Sequence, residues 1–467
     1  MDLCRMKLYL QNSIQFGMNN KVLVFSITVA LAGFLFGFDT VVISGANKPL
    51  QELWALSPFM HGTFIMSMAL WGTVLGSLVG GIPTQSLGRK KTLFWIGVLF
   101  FVSALGSALV SDPYLFSFFR FIGGIGVGVS SVAAPIYISE ITSSDKRGQL
   151  GGLYQFCLVF GILIAFISNW ALKGFDGAND WRWMLGVEAI PALAYTLMVL
   201  KVPYSPRWLV LQKGEDEQAL SILTIIYQKI EVAKKHLAEI KLDRQESVGQ
   251  ERLFQNKYKK VLYLGFLIAF FNQLSGINFV LYYAPQILEQ AGLGGSDSLF
   301  NSIAIGVVNL IFTLIGVRLI DRLGRRQLII IGSVGYILSL IMVGICFQFA
   351  LSPALLLTFI CLFVAAHAIG QGAVIWVFIS EIFPNRVRSY GQSWGTGTHW
   401  VFAAIITMVT PYFIDDQQGL FRNNLEVIYY FFAFMMVLQL LWALLKMPET
   451  KGISLEDLEK ELVDHDS

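Results

Sequence analysis

Asn272-Gln273-Leu274-Ser275-Gly276-Ile277-Asn278-Phe279-Val280-Leu281-Tyr282-Tyr283-Ala284-Pro285 is the stretch on which the reading of this chain turns. It lies in an apolar run, 261–288, that carries no charge yet holds three amides, Asn272, Gln273 and Asn278. A carboxamide without a partner is costly in hydrocarbon, because no water replaces its hydrogen bonds. These amides therefore need a wet cavity, a polar ligand or a neighbouring helix. Gln273 and Asn278 stand five residues apart, about one and a half helical turns, and do not share a strict helical face. Gly276 and Pro285 permit a break that lets both side chains turn to one site. Carboxamides offer donor and acceptor together, which suits a neutral polyhydroxylated solute. Spacing alone leaves helix–helix glue and a ligand site both open.

Working outward, the same apolar texture fills the chain. Its 467 residues are 55% hydrophobic and only 14% charged, too apolar for a soluble protein of this length. Twelve uncharged or nearly uncharged runs of about 20 residues begin near Val22, Met60, Thr92, Tyr114, Gly148, Trp183, Val261, Ser298, Gln327, Ser352, Ser389 and Val427. They do not alternate in polarity, which argues against a membrane barrel. The expected fold is all-α: twelve transmembrane helices in two six-helix bundles. The expected boundaries are a tail at 1–21, bundles at 22–202 and 261–447, a linker with short helices at 203–260 and a tail at 448–467.

Charge sets the expected orientation. Odd-numbered connections hold only Lys48, Lys173, Arg182 and Arg422, and Arg120 lies within a span, so 29 of the 34 basic residues fall in even connections and tails. This positive-inside bias puts both termini in the cytoplasm. The net charge of +3 is then a topology signal, not a nucleic-acid footprint. No signal peptide is read before Val22. Cys4, Cys157, Cys346 and Cys361 are scattered and suggest neither a disulfide framework nor a metal site. No cofactor is expected.

Three charges lie deep in the first bundle: Asp39, Arg120 and Glu188. A carboxylate at membrane depth costs about 2.5–3.5 kcal/mol on insertion scales and needs a partner or a proton. A protonatable cluster is favoured over a static ion pair, because intramembrane acids are functional by default. Gly124, Gly126 and Gly128 beyond Arg120 allow close helix approach. His399 reads as a hydrogen-bonded core histidine rather than a proton carrier. Trp376 and Trp400 can stack on a sugar ring or simply pack.

An internal repeat runs through the connections. Leu87-Gly88-Arg89-Lys90-Lys91 recurs as Leu323-Gly324-Arg325-Arg326, preceded by Asp321. Ser139-Glu140-Ile141 with Arg147 recurs as Ser380-Glu381-Ile382 with Arg388. Each pair is separated by about half the chain, the signature of parallel repeats with a solute site between them. Glu and Arg at helix ends are expected to pair across the cytoplasmic face and hold it shut.

These motifs together resemble the sugar porter family of the major facilitator superfamily, from about Val22 to Lys451. The resemblance rests on Gly88-Arg89-Lys90, Arg120 with its glycines, Pro135-x-Tyr137-x-x-Glu140, Pro203-x-Ser205-Pro206-Arg207, the Gln273 to Tyr283 stretch, Asp321-Arg322-x-Gly324-Arg325-Arg326 and Pro448-Glu449-Thr450. It implies a hexose or pentose held between the bundles by Gln155, Asn272, Gln273, Asn278, Asn309, Trp376 and Trp400, with Tyr282 and Tyr283 closing the outer side. It implies a cytoplasmic gate of Arg89, Glu140, Arg147, Asp321, Arg325, Glu381 and Arg388. Asp39 and Glu188 resemble the family's proton-driven members, such as bacterial xylose–proton symporters. The implied protein is a monomeric, multi-pass importer of a monosaccharide with a proton, in a plasma membrane such as a bacterial inner membrane. A facilitative uniporter and a non-transporting sugar sensor are the rival readings, and no enzyme is expected. The chain departs from the family pattern at Gln85 and Ser86, Asn272, Tyr204, Ile162 and His399.

Overall fold

A computed structural model describes residues 20–142, 147–245, 252–384, 386–453 and 455–463, with only backbone described at 147–149, 243–245 and 455–456. The described residues form helices and connecting turns. Among the described residues, ten helices are long and apolar enough to cross a membrane and a bent pair makes an eleventh; a shorter broken pair, Asp180–Gly186 and Ala189–Val199, brings the set to twelve. In chain order the spans are α1 (Asn20–Trp54), α2 (Pro58–Met66 and Met68–Val79), α3 (Arg89–Leu109), α4 (Pro113–Glu140), α5 (Arg147–Leu172), α6 (Asp180–Gly186 and Ala189–Val199), α7 (Asn256–Gln290), α8 (Gly295–Leu323), α9 (Arg325–Gln348), α10 (Pro353–Ile382), α11 (Arg388–Ile414) and α12 (Glu426–Leu445).

The interruptions have local causes. The two arms of α2 meet at a 42° bend beside a π-helical turn. In α6 the break falls at Val187–Glu188. Pro191 has no N–H to return to the Val187 carbonyl, so Ile190 N–H bonds that carbonyl instead, in a tighter turn. In α7 the break is at Gly276, whose φ of +87° suits only glycine without strain. It divides α7 into α7a (Lys259–Leu274) and α7b (Ile277–Gln290). A Cβ there would also stand 2.7 Å from the Phe432 ring.

α1–α6 and α7–α12 pack as two halves. Within the first, α1 lies along α5 and α4 along α2 and α3. Backbone contact explains the tightness: a Cβ on Gly37 would strike the Leu158 carbonyl of α5, and one on Gly124 the Ala69 carbonyl of α2. The halves meet where α5 faces α8, α2 faces α11 and α7b faces α1. Leu109, Ile190, Leu338 and Phe434 stand on the outer surface, exposed apolar groups that lipid would cover. Between the halves, Asp216–Tyr227 and Ile230–Gln245 form a small satellite with Trp208, Leu209 and Val210. The face carrying it is called here the linker face; the opposite one is the far face.

Candidate functional site

Asp39, Arg120 and Glu188 come together, although they belong to α1, α4 and the break in α6. All three are buried. Arg120 Nη1 donates to the Asp39 carboxylate, and Nη2 donates to the Asp39 backbone carbonyl at 3.0 Å. Glu188 is buried beside this pair, close enough to interact electrostatically with both partners. Two acids and one base thus share a dry interior. Breaking such a pair by removing one partner costs about 3–5 kcal/mol. Tyr282, from α7b of the other half, is buried beside the same cluster, near Asp39 and Arg120.

The α7 amides also converge. The break at Gly276 folds Asn278 back so that its Nδ2 donates to Gln273 Oε1 at 2.8 Å. Gln273 Nε2 donates to Asn272 Oδ1 at 2.9 Å and to the His399 ring at 3.1 Å. His399 is thus a hydrogen-bonded interior histidine. Its ring lies 4.8 Å from Trp376 and edge-on to Trp400 at 4.7 Å. The two indoles lie nearly parallel, 6.5 Å apart. Trp376 remains 36% exposed, while the Trp400 Nε1–H is buried without an acceptor. Phe36 of α1 packs on Trp400, so both halves wall this spot. Asn309 of α8 is buried and accepts from Thr313 one turn along its own helix. Gln155 is half-buried on α5. Neither joins the hydrogen-bonded amide group.

At the far face the halves are clasped. Asn47 Nδ2 donates to Gln286 Oε1 at 2.9 Å, and Asn47 Oδ1 bonds His61 Nε2 at 2.7 Å. Gln51 Nε2 donates to Asp415 at 2.6 Å, and Lys48 bridges Glu289 at 3.0 Å and Asp416 at 3.8 Å. Tyr283 is buried below and donates to the Thr407 carbonyl at 2.8 Å, a bond within the second half. Outside the clasp is a cavity of about 660 Å³ lined by Asn47, Lys48, Asp180, Trp181, Gln286 and Glu289.

The linker-face motifs form two matching latches, and here the expectation of pairing across the face is corrected. Arg89 grips Glu140 through Nε and Nη2 at 2.9 and 2.7 Å. Arg325 grips Glu381 at 3.0 and 2.6 Å. Each bidentate pair joins helices of one half, because the N-terminus of α3 or α9 packs beside the C-terminal end of α4 or α10. A hydroxyl completes each: Ser205 on Glu140 and Thr450 on Glu381, both at 2.6 Å. The halves differ one residue earlier. Glu449 accepts the backbone N–H groups of Arg325 and Arg326 at 2.9 and 3.0 Å. Tyr204, in the matching position, takes Lys90 over its ring and stacks on Trp208. Asp321 is 84% exposed, 3.8 Å from Arg325. Arg388 Nε donates to the Phe383 carbonyl at 3.2 Å. The Arg147 side chain and Cys4 lie outside the described residues.

Sequence reasoning passed over Asn47, His61, Gln286, Gln371 and Gln439. The signal was available for the amides: each is a carboxamide in an apolar run, as Asn272 is.

A model of the family described as "Sugar (and other) transporter" matches residues 25–462. The chain is 37% identical over 450 residues to the arabinose-proton symporter of Bacillus subtilis (strain 168), covering 94% of each chain. It is 34% identical over 477 residues to the D-xylose-proton symporter of Escherichia coli (strain K12), covering 94% of this chain and 96% of the other. Among solved structures, the inward open conformation of the xylose transporter XylE from E. coli superposes with a TM-score of 0.83 at 31% identity, covering 94% of this chain and all of that one. A buried acid–base cluster, a nest of amides and indoles, duplicated latches and these matches lead to one conclusion: the chain is a multi-pass membrane protein that belongs to the sugar transporter family.

Proposed function

We propose that this protein carries a monosaccharide, a pentose or hexose, into the cell together with a proton, by alternating access. The observation that carries the reading is a stripe on α7b. Asn278, Tyr282 and Gln286 follow at i, i+4 and i+8 along α7b, with a kink at Tyr283 ahead of Gln286. Asn278 meets the amides, Tyr282 meets the Asp39–Arg120–Glu188 cluster, and Gln286 meets Asn47 of the clasp. One short segment, hinged at Gly276, therefore addresses sugar, proton and gate together.

On this reading Gln155, Asn272, Gln273, Asn278, Asn309, Trp376 and Trp400 receive the sugar. The amides bond its hydroxyls, and the indoles cover its apolar face. The unpartnered Trp400 N–H is a donor awaiting an oxygen. Asp39 takes the proton and loosens its attraction for Arg120, with Glu188 the second acid of the cluster. The linker face is cytoplasmic by the charge bias, so both termini lie in the cytoplasm and the clasped face is extracellular. The conformation is then inward-facing. The Arg89–Glu140 and Arg325–Glu381 latches brace each half while the halves rock. The protein works as a monomer in the lipid bilayer of a plasma membrane. A proton entering down about 100 mV releases about 2.3 kcal/mol, enough to accumulate sugar roughly fifty-fold.

Asp39→Asn tests this, since the amide keeps the shape and cannot carry the proton. Uptake against a gradient should disappear while exchange of labelled for unlabelled sugar continues. Concentrative uptake by the variant would refute proton coupling through Asp39. Alkalinisation of the medium on sugar addition separates symport from facilitated diffusion.

A further inference from the structure

The amides of the site continue into a buried chain that crosses the second half. Asn278 donates to Gln273, Gln273 to Asn272, and Asn272 to Gln371 at 3.4 Å. Gln371 Nε2 donates to Gln439 Oε1 at 2.7 Å, and Gln439 Nε2 donates to Ser333 Oγ at 2.8 Å. Four helices take part, α7, α10, α12 and α9, and every member but Asn278 is at most 2% exposed. Asn278, 9% exposed, is the open end.

The chain has a direction, and its buried end sets it. Ser333 Oγ donates its hydrogen to the Ile329 carbonyl at 2.7 Å. That oxygen can then only accept, so Gln439 must turn its NH₂ toward it. Gln439 thereby offers its carbonyl to Gln371, and the same constraint passes through Gln371, Asn272 and Gln273 to Asn278. At Gln273 both N–H groups are consumed, by Asn272 and by the His399 ring. Its Oε1 keeps one lone pair free, and Asn278 Oδ1 is uncommitted. A carboxamide in isolation is ambivalent, but here Gln273 can offer a solute nothing except an acceptor.

We propose that Ser333, Gln439 and Gln371 are positioning residues that fix the hydrogen-bond polarity of the sugar site, so that Gln273 Oε1 and Asn278 Oδ1 demand donated hydroxyls from the sugar. This rests on the site reading given above. It explains why two amides and a hydroxyl are kept in hydrocarbon away from the solute: they cost little while the chain is unbroken, and they turn an ambivalent site into a selective one. It also sets the role of His399, which must present an acceptor nitrogen to Gln273 and so must be neutral while the chain is intact.

Fluorine separates this from simple packing, because it replaces a hydroxyl in size and cannot donate. Tryptophan-fluorescence titrations on the purified full-length protein would compare D-xylose, L-arabinose and D-glucose with their single-position deoxyfluoro analogues. In the wild type at least one hydroxyl-to-fluorine change should weaken binding about tenfold or more. Ser333→Ala removes the anchor with little change in volume, and Gln371→Leu cuts the chain. Both should lower that penalty to less than about threefold, because the amides nearest the sugar can then reverse. Ser333→Thr keeps the hydroxyl and should retain the wild-type penalty. Wild-type protein that accepts fluorine at every position overturns the proposal without any variant. So does a penalty unmoved in both Ser333→Ala and Gln371→Leu. If Asn278→Ala loses affinity while neither Ser333→Ala nor Gln371→Leu moves the penalty, the site stands and only the role of the chain falls. Unchanged affinity in Asn278→Ala removes the site itself.

Discussion

Asn47→Ala should open the far face, and the structure fixes how much. The Asn47 amide makes two bonds, one to Gln286 across the halves and one to His61 within its own half. The His61 bond is intact whether the halves are closed or apart, so its loss cancels from the closing equilibrium. The Gln286 bond does not cancel. Removing it costs the closed state one hydrogen bond and leaves the Gln286 amide poorly solvated, about 1–3 kcal/mol together. That corresponds to a shift of roughly 5- to 150-fold in the closed-to-open ratio. The neighbouring Lys48–Glu289 bridge is longer-ranged in force, yet its lysine is 49% exposed. Such a pair contributes about 0–1 kcal/mol, and less in salt. Lys48→Ala should therefore move the equilibrium less than Asn47→Ala does. Spin labels at Leu53 and Leu420, exposed positions on opposite halves, would read both populations as distances by pulsed resonance. An unchanged distribution in Asn47→Ala, or a larger shift in Lys48→Ala, would refute this ranking.

Gly276→Ala must adopt a left-handed backbone and place a methyl against Phe432. A loss of about 2–4 kcal/mol of stability follows, visible as a lower melting temperature; an unchanged melt would mean that α7 can straighten. Gln273→Ala and Trp376→Ala should each weaken sugar binding about tenfold or more, measured by titration, and unaltered affinity in both would empty the proposed site. Tyr204→Glu supplies at α3 the carboxylate that Glu449 supplies at α9. It should stabilise the first latch by about 0.3–1 kcal/mol, read as a small rise in melting temperature that salt diminishes.

Much of the site was legible because hydrocarbon punishes polarity. Asn272, Gln273, Asn278, Asp39, Arg120 and Glu188 declared themselves by standing in apolar runs, and Gly276 announced the bend that joins Asn278 to Gln273. Gln371 and Gln439 obey the same rule. What the sequence withholds is direction: an apolar run does not say which way an amide points, so the buried chain behind Asn272 emerges only from coordinates. The latches show a second limit. The repeat reveals that each half owns an arginine and a glutamate, but equal motifs satisfy pairing within halves as well as between them. Geometry decides, since the arginine opens a helix whose first turn rests on the helix end bearing the glutamate. The break in α6 was missed for a third reason: Pro191 acts on Val187, so it puts Glu188 at the break three residues ahead of itself.

Coupling through α7b works only if its contacts are of similar strength. Steps of four residues rise about 6 Å, so Asn278, Tyr282 and Gln286 span about 12 Å along α7b, across its kink at Tyr283. A sugar that binds the open state better by about 1–3 kcal/mol can shift a clasp of equal strength. It could not shift a dry, bidentate ion pair at that place, whose rupture costs about 3–5 kcal/mol. The chain sets its strong pair, Asp39–Arg120, deeper, eight residues before Asn47 along α1, where on the proposed mechanism a proton rather than the sugar neutralises it, and closes the far face with amides and exposed charges. On the proposed mechanism sugar and proton would each meet a lock of matching strength, and Tyr282, which lies beside the acid–base cluster on the hinged segment, would make opening either one favour the other.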